Sequence, residues 1–274
     1  MLASLIIVFR EVLEAGLVVG IVLAATKGVP GRSLWTGYGI AAGLFGACIV
    51  AVFADTLFSA FAGSGQELFN AAVLGMAALM LCWHNVWMSR HARVMIQDIR
   101  AVGRAVSVGE RPLYAITLVT AVAVAREGAE VVLFLYGIAA SGGGSAALLA
   151  GSILGIAAGG VVATLLYFGL LRVPTRHLFT VTSWMLTLLA AGMASQSVGY
   201  LSKAGLLPAP IDPVWDSSGI LPDDSLMGIA LRTLVGYTDR PSELQVFAYA
   251  LMLLTIVVLM RLFRSPPPTP RAAE

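Results

Sequence analysis

Arg10, Glu11 and Glu14 stand in the run LASLIIVFREVLEAGLVVGIVLAA, and Arg126, Glu127 and Glu130 stand in LVTAVAVAREGAEVVLFLYG. The pattern R-E-x-x-E therefore occurs twice, each time surrounded by apolar or small residues. On a helix, positions i, i+3 and i+4 share one face. Glu11 then points with Glu14, and Arg10 can reach Glu14; the same holds for Glu127, Glu130 and Arg126. Together the two copies hold four carboxylates and two guanidiniums, an excess of two negative charges. A cluster built only for structure would balance to zero more cheaply, because unpaired buried charge is costly. The missing charge is best supplied by a cation, and carboxylate oxygens are hard ligands suited to Mg, Ca, Mn or iron. The competing reading is two intrahelical Arg–Glu pairs that pin one helix to the other.

The elements that position these residues follow from composition. Of 274 residues, 58% are hydrophobic and only 12% charged, where soluble domains carry about 25% charge. Apolar runs of about 20 residues recur along the chain, each long enough to cross a bilayer as a helix. The expected class is an all-α integral membrane protein with seven transmembrane helices near 2–26, 34–58, 67–88, 113–140, 146–171, 178–201 and 244–263. The N-terminus lacks the basic region and cleavage site of a signal peptide, so the chain from Met1 is read as the first span. Both motifs fall mid-span, where a charge costs about 2.5–3.5 kcal/mol even on the lenient insertion scale. They must face each other or a hydrated path.

Loop charge sets the orientation. Lys27 and Arg32, then Arg90, Arg93, Arg100, Arg104 and Arg111, then Arg172 and Arg176, and finally Arg261, Arg264 and Arg271 fall on one side of a seven-span chain. That side is read as the cytoplasm, with the N-terminus outside and the C-terminus inside. The other side is acidic: Asp55, Glu67, Asp212, Asp216, Asp223, Asp224, Asp239 and Glu243. Trp35, Tyr38, Trp83 and Trp87 fall near the inner interface, as aromatic belts do. GMAAL at Gly75 and GMASQ at Gly192 echo each other at nearly the offset of the two charged motifs. Residues 1–88 and 113–203 thus read as two three-helix repeats. An odd span count inverts one copy against the other, the plan of transporters whose sites lie at the repeat interface. Between them, 89–112 reads as a basic cytoplasmic loop, with a surface helix as the alternative. An extracytoplasmic loop (204–243), a seventh helix (244–264) and a disordered cytoplasmic tail (265–274) complete the division.

The remaining polar residues are less specific. The glycines of spans 2 and 5 are read as packing positions, since small residues let helices approach closely in lipid. Cys48 and Cys82 are read as buried small hydrophobes. His84, His91 and His177 show no metal-ligand spacing and are given no role. Glu67 is either the first ligand an incoming ion meets or an ordinary helix-end carboxylate. Gln196 lines a path or bonds between helices. The loop acids either funnel cations or are solvated. The near-neutral net charge of +2 gives no reason to expect a nucleic-acid partner.

Two R-E-x-x-E motifs, in the first and fourth of seven spans, resemble the high-affinity iron permease family, which includes fungal ferric permeases and bacterial EfeU-type permeases. VWDSSGILPDDS and LVGYTDRPSELQVFAYAL resemble that family's last loop and last helix. The resemblance implies that Glu11, Glu14, Glu127 and Glu130 bind iron in transit, with Arg10 and Arg126 as charge-balancing partners and Glu67 as a further ligand. It implies an iron permease of the inner or plasma membrane, not an enzyme, with ferric iron as transported substrate and no bound organic cofactor. It also implies contact with membrane lipid and supply of iron by separate extracytoplasmic iron-handling proteins. Three alternatives are weighed against it. Transport of Fe2+, manganese, lead or protons fits the same carboxylates. A di-iron carboxylate oxidase would use Glu-x-x-His pairs, and no His occupies those positions. A purely structural subunit does not explain the surplus charge.

Overall fold

A computed structural model describes residues 1–60, 65–140, 144–169, 175–208, 211, 213–223 and 225–262. Arg172, Asp212, Asp224, Arg264, Arg271 and the tail 265–274 lie outside the described residues, as do the side chains of Arg90, His91, Arg93, Arg176 and His177. The described residues form helices without strands: α1 (Leu2–Ala25), α2 (Arg32–Ala60), α3 (Gln66–Ser107), α4 (Tyr114–Ala140), α5 (Ser145–Tyr167), α6 (Thr175–Lys203), α7 (Leu226–Val235) and α8 (Glu243–Leu262). Among the described residues, four stretches are long and apolar enough to cross a membrane: Arg32–Thr56 of α2, Gln66–Met88 of α3, α5 and α8. α1 and α4, of 24 and 27 residues, interrupt comparable apolar runs with their charged motifs. Large apolar side chains such as Phe45, Phe53, Ile153 and Phe247 face outward, as lipid-facing residues must.

The helices pack in three principal pairs: α1 on α5, α2 on α4, and α3 on α6. In the first pair, side chains placed at Gly155 and Gly159 would meet Val8 and Val12, and Gly151 lies against Ser4. In the second, Gly39 lies against Thr120, Gly43 against Val124, and Gly128 against Ala47. The register is the same in both. Ser4, Val8 and Val12 of α1 correspond to Thr120, Val124 and Gly128 of α4, and Gly151, Gly155 and Gly159 of α5 to Gly39, Gly43 and Ala47 of α2. A Cβ at Gly43 would stand 2.6 Å from the Val124 Cβ and 2.8 Å from the Ala121 carbonyl oxygen. This is the close backbone approach that small residues permit between helices in lipid.

One difference from the sequence reading governs the site. The segment expected as a basic loop continues α3 as a single helix of 42 residues to Ser107. Ile99 and Val106 are buried, with Met95 and Val102 partly so, against Val18 and Val22 of α1 and Ile116 of α4. These positions recur at helical spacing on one face, while Arg100 and Arg104 are exposed. Arg100 and Arg104, two of the arginines that suggested a loop, occupy the exposed face of an amphipathic helix. His84 consequently lies mid-helix, with about 27 Å of helix before it and about 35 Å after it at 1.5 Å per residue.

The main core cluster sits between α3, α4, α6 and α8 and includes Leu74, Leu81, Phe134, Ile138, Leu186 and Ile256. Cys82 belongs to it, but Cys48 is exposed on α2, correcting the expectation that both are buried. Cys48 lines an open apolar cavity of about 640 Å³ with Gly16, Val124 and Tyr167. The expected loop before the last helix contains α7. Ser225 caps it by accepting from the Gly228 N–H at 2.9 Å, and Gly236 ends it at φ 74°. A larger residue at Gly236 would suffer both the left-handed backbone and the facing Gly192 of α6.

Candidate metal site

α1 and α4 pack against one another and bring the two R-E-x-x-E motifs together. Arg10, Glu11, Glu14, Glu127 and Glu130 are all buried, none more than 7% exposed. The helical spacing performs as expected: Arg10 Nη2 pairs with Glu14 Oε1 at 2.8 Å, and Arg126 Nε with Glu130 Oε1 at 3.0 Å. Each arginine also reaches its sequence neighbour, Arg10 Nη1 to Glu11 Oε1 at 3.1 Å and Arg126 Nε to Glu127 Oε1 at 4.0 Å.

The structure adds a residue that the sequence reading discounted. His84 of α3 enters the cluster and is 2% exposed. Its Nε2 lies 2.8 Å from Arg10 Nη1 and 3.9 Å from Glu14 Oε2. Its Nδ1 contacts Glu130 Oε2. His84 therefore touches both motif helices from a third. The next residue fixes the rotation of α3: Asn85 Nδ2 donates to the Ser183 carbonyl at 3.0 Å and to Thr187 Oγ1 at 2.8 Å, both on α6. Spacing within one segment could not reveal a ligand contributed from another helix. A signal was nonetheless present. Read as one continuous amphipathic helix, 66–107 places His84 at its middle, level with the two motifs.

Two donor groups form among the described residues. Glu11, Glu14 and His84 each offer a ligand atom within 4.8 Å of the others, and so do Glu11, Glu127 and Glu130. Glu11 belongs to both. Glu11 Oε2 and Glu127 Oε2 are buried and have no hydrogen-bond partner among the described residues. Leaving carboxylate oxygens unsatisfied costs free energy unless something binds them. Four carboxylates against two guanidiniums, with hard oxygen donors and one imidazole nitrogen, make a donor set suited to a transition-metal cation.

The copies differ in their surroundings. The Arg126 side chain is 32% exposed. Its guanidinium stacks on the Trp87 ring at 4.3 Å from the centroid, which places Trp87 at the site and not only in an interfacial belt. Beside it lies a cavity of about 460 Å³ lined by Trp87, Asp98, Val102, Arg126 and Glu127.

Other expected residues lie elsewhere. Glu67 is exposed in the first turn of α3. It stands about 25 Å along that helix from His84, and belongs to neither donor group. Gln196 Oε1 is buried on α6 without a hydrogen-bond partner among the described residues, and Gln196 too is outside both groups. Loop acids hold the loop itself. Asp216 accepts from Ser218 Oγ at 2.6 Å and pairs with Arg240 at 3.0 Å. Ser218, and then Arg240, hold its carboxyl down at about 2. Asp223 and Asp239 accept from each other's backbone N–H.

Comparison with known proteins shows the family. The family model described as "Iron permease FTR1 family" matches residues 1–264. The ferrous iron permease EfeU of Escherichia coli O6:H1 (strain CFT073) is 31% identical over 264 residues, covering 94% of each chain. That of Escherichia coli O157:H7 is 31% identical over 268 residues, covering 96% of each. That of Yersinia pestis is 29% identical over 265 residues, covering 94% of this chain and 93% of the relative. No solved structure matches. With its apolar helices, its whole-length match and its buried charged motifs, the chain is a multi-pass membrane protein that belongs to the FTR1 iron permease family.

Proposed function

We propose that this protein is an iron permease that carries iron across the membrane through the cluster formed by Glu11, Glu14, Glu127 and Glu130. The observation that carries the reading is the convergence of four buried carboxylates with only two guanidiniums. Arg10 and Arg126 balance half of the charge, and the surplus of carboxylates is what draws a cation to the cluster. The relatives are named for ferrous iron, and we take Fe2+ as the transported form in place of the ferric ion expected from the resemblance.

The architecture in this reading is seven crossing helices, α1 to α6 and α8, with 1–88 and 113–203 as inverted repeats. The matched register of α1 on α5 and α4 on α2 supports the repeat. The N-terminus lies outside and the C-terminus in the cytoplasm of an inner or plasma membrane, as the loop charges indicate. Iron arrives from extracytoplasmic partner proteins. Release requires a change of access or of ligand protonation, because a site that only binds does not conduct. The cavity beside Arg126 and Glu127 reaches along the second half of α3, and we assign it as the inward route. Glu67, far from the cluster, is left as a helix-end carboxylate.

The test is uptake by purified protein in liposomes, comparing Fe2+, Fe3+ and other cations with and without a proton gradient. Glu14→Ala and Glu130→Ala should abolish accumulation. Undiminished iron uptake by both variants would sink the proposal.

A further inference from the structure

The contacts around His84 fit one tautomer. A guanidinium donates hydrogen bonds and accepts none, so the contact from Arg10 Nη1 at 2.8 Å requires a lone pair on His84 Nε2. The ring hydrogen then sits on Nδ1, which faces the carboxylate oxygen Glu130 Oε2. A carboxylate beside one imidazole nitrogen, with the lone pair of the other left for a cation, is the arrangement that orients metal-ligating histidines. Here the lone pair is aimed at the Arg10 guanidinium and toward Glu14 Oε2, 3.9 Å away.

Arg10 marks where a cation sits. Its guanidinium is buried and touches three groups: Glu11 Oε1 at 3.1 Å, Glu14 Oε1 at 2.8 Å and His84 Nε2 at 2.8 Å. The same three residues form one of the two donor groups, and Glu11 keeps a buried oxygen without a partner among the described residues.

We propose that the travelling ion binds Glu11, Glu14 and His84 Nε2 in the space now held by the Arg10 guanidinium, with Glu130 orienting the imidazole through its Nδ1–H. This rests on the permease reading and deepens it. The α3 histidine becomes a nitrogen ligand, and Glu130 acts in this group through His84, not on the ion. Arg10 is the tethered cation that the ion displaces, and its long side chain lets it withdraw. The donor set also states the substrate class. Imidazole suits iron, zinc, copper and nickel, whereas magnesium and calcium favour oxygen alone. A mixed site of two carboxylates and one imidazole selects a first-row divalent transition ion over Ca2+ and Mg2+.

X-ray absorption at the iron edge tests this on the full chain, purified without a histidine tag and loaded with Fe2+ under anaerobic conditions. The chain has three histidines, so the His91→Ala/His177→Ala variant leaves His84 as the only imidazole. Its spectrum should show imidazole scattering. Adding His84→Leu should remove that signal, weaken Fe2+ binding by about tenfold or more, and let Ca2+ compete better. Should the triple variant fail to fold, the imidazole signal in the double variant still decides. An oxygen-only shell in a double variant that binds and transports Fe2+ overturns this proposal and leaves the permease reading standing. A native chain that neither binds nor transports iron overturns both.

Discussion

The first and second copies of R-E-x-x-E share spacing and helix position, yet the structure places their arginines in different environments. Arg10 is enclosed by Glu11, Glu14 and His84, with its side chain 2% exposed. Arg126 pairs with Glu130 and stacks on Trp87, with its side chain 32% exposed beside a cavity. The asymmetry originates in α3. Its His84 stands against the Arg10 side of the cluster, and its Trp87, one turn later, stands against Arg126. Two similar motifs thus become a closed half and an open half.

The largest expected effect sharpens the contrast. Arg10→Ala strands two carboxylates in a buried space, and breaking a buried pair in this way costs about 3–5 kcal/mol. Arg126→Ala removes a partner whose side chain is one-third exposed, and although Glu130 is buried, the loss should be smaller than at Arg10. Unfolding of the two purified variants in detergent measures the difference, and equal losses would break the comparison.

Next come substitutions in the parts the copies share. Gly43→Ala would press its Cβ to 2.6 Å from the Val124 Cβ, and Gly155→Ala would press its own to 2.8 Å from the Val8 Cβ. Overpacking of this kind costs about 1–3 kcal/mol. Both variants should lower the melting midpoint by similar amounts. A large effect at one and none at the other would show that the matched register does not carry matched energy.

The smallest effect belongs to the loop. Asp216 is fully exposed, and Ser218 and Arg240 hold its carboxyl at about 2. A depressed carboxyl contributes stability above its ordinary range and loses it as the pH falls toward 2. Solvent screens such a pair. Asp216→Asn should leave both the melting midpoint at neutral pH and Fe2+ uptake unchanged. A marked loss of uptake would restore the loop acids as part of the iron path.

Much of this was legible in the chain. Apolar length placed helices close to their observed bounds, because in lipid every backbone polar group must be satisfied within the segment. The i, i+4 spacing alone paired Arg10 with Glu14 and Arg126 with Glu130. The arginines of 89–112 misled, since charge density was read without its period, and the apolar face of Met95, Ile99, Val102 and Val106 was the better guide. Taken as a loop, 89–112 leaves His84 near the end of the span 67–88; as a continuation of α3 it puts His84 at mid-helix.

The sequence by itself determined an apolar helical chain bearing two charged motifs whose carboxylates outnumber their guanidiniums, because composition and spacing along one helix are local properties. Only the tertiary structure decided that the motifs share one buried cluster, that α3 contributes an imidazole to it, and that one arginine is enclosed while the other is open. Those outcomes depend on how three helices rotate against each other. That rotation is set by close contacts such as Gly43 on Val124, Gly155 on Val8 and Asn85 on Thr187, which join residues far apart in the chain.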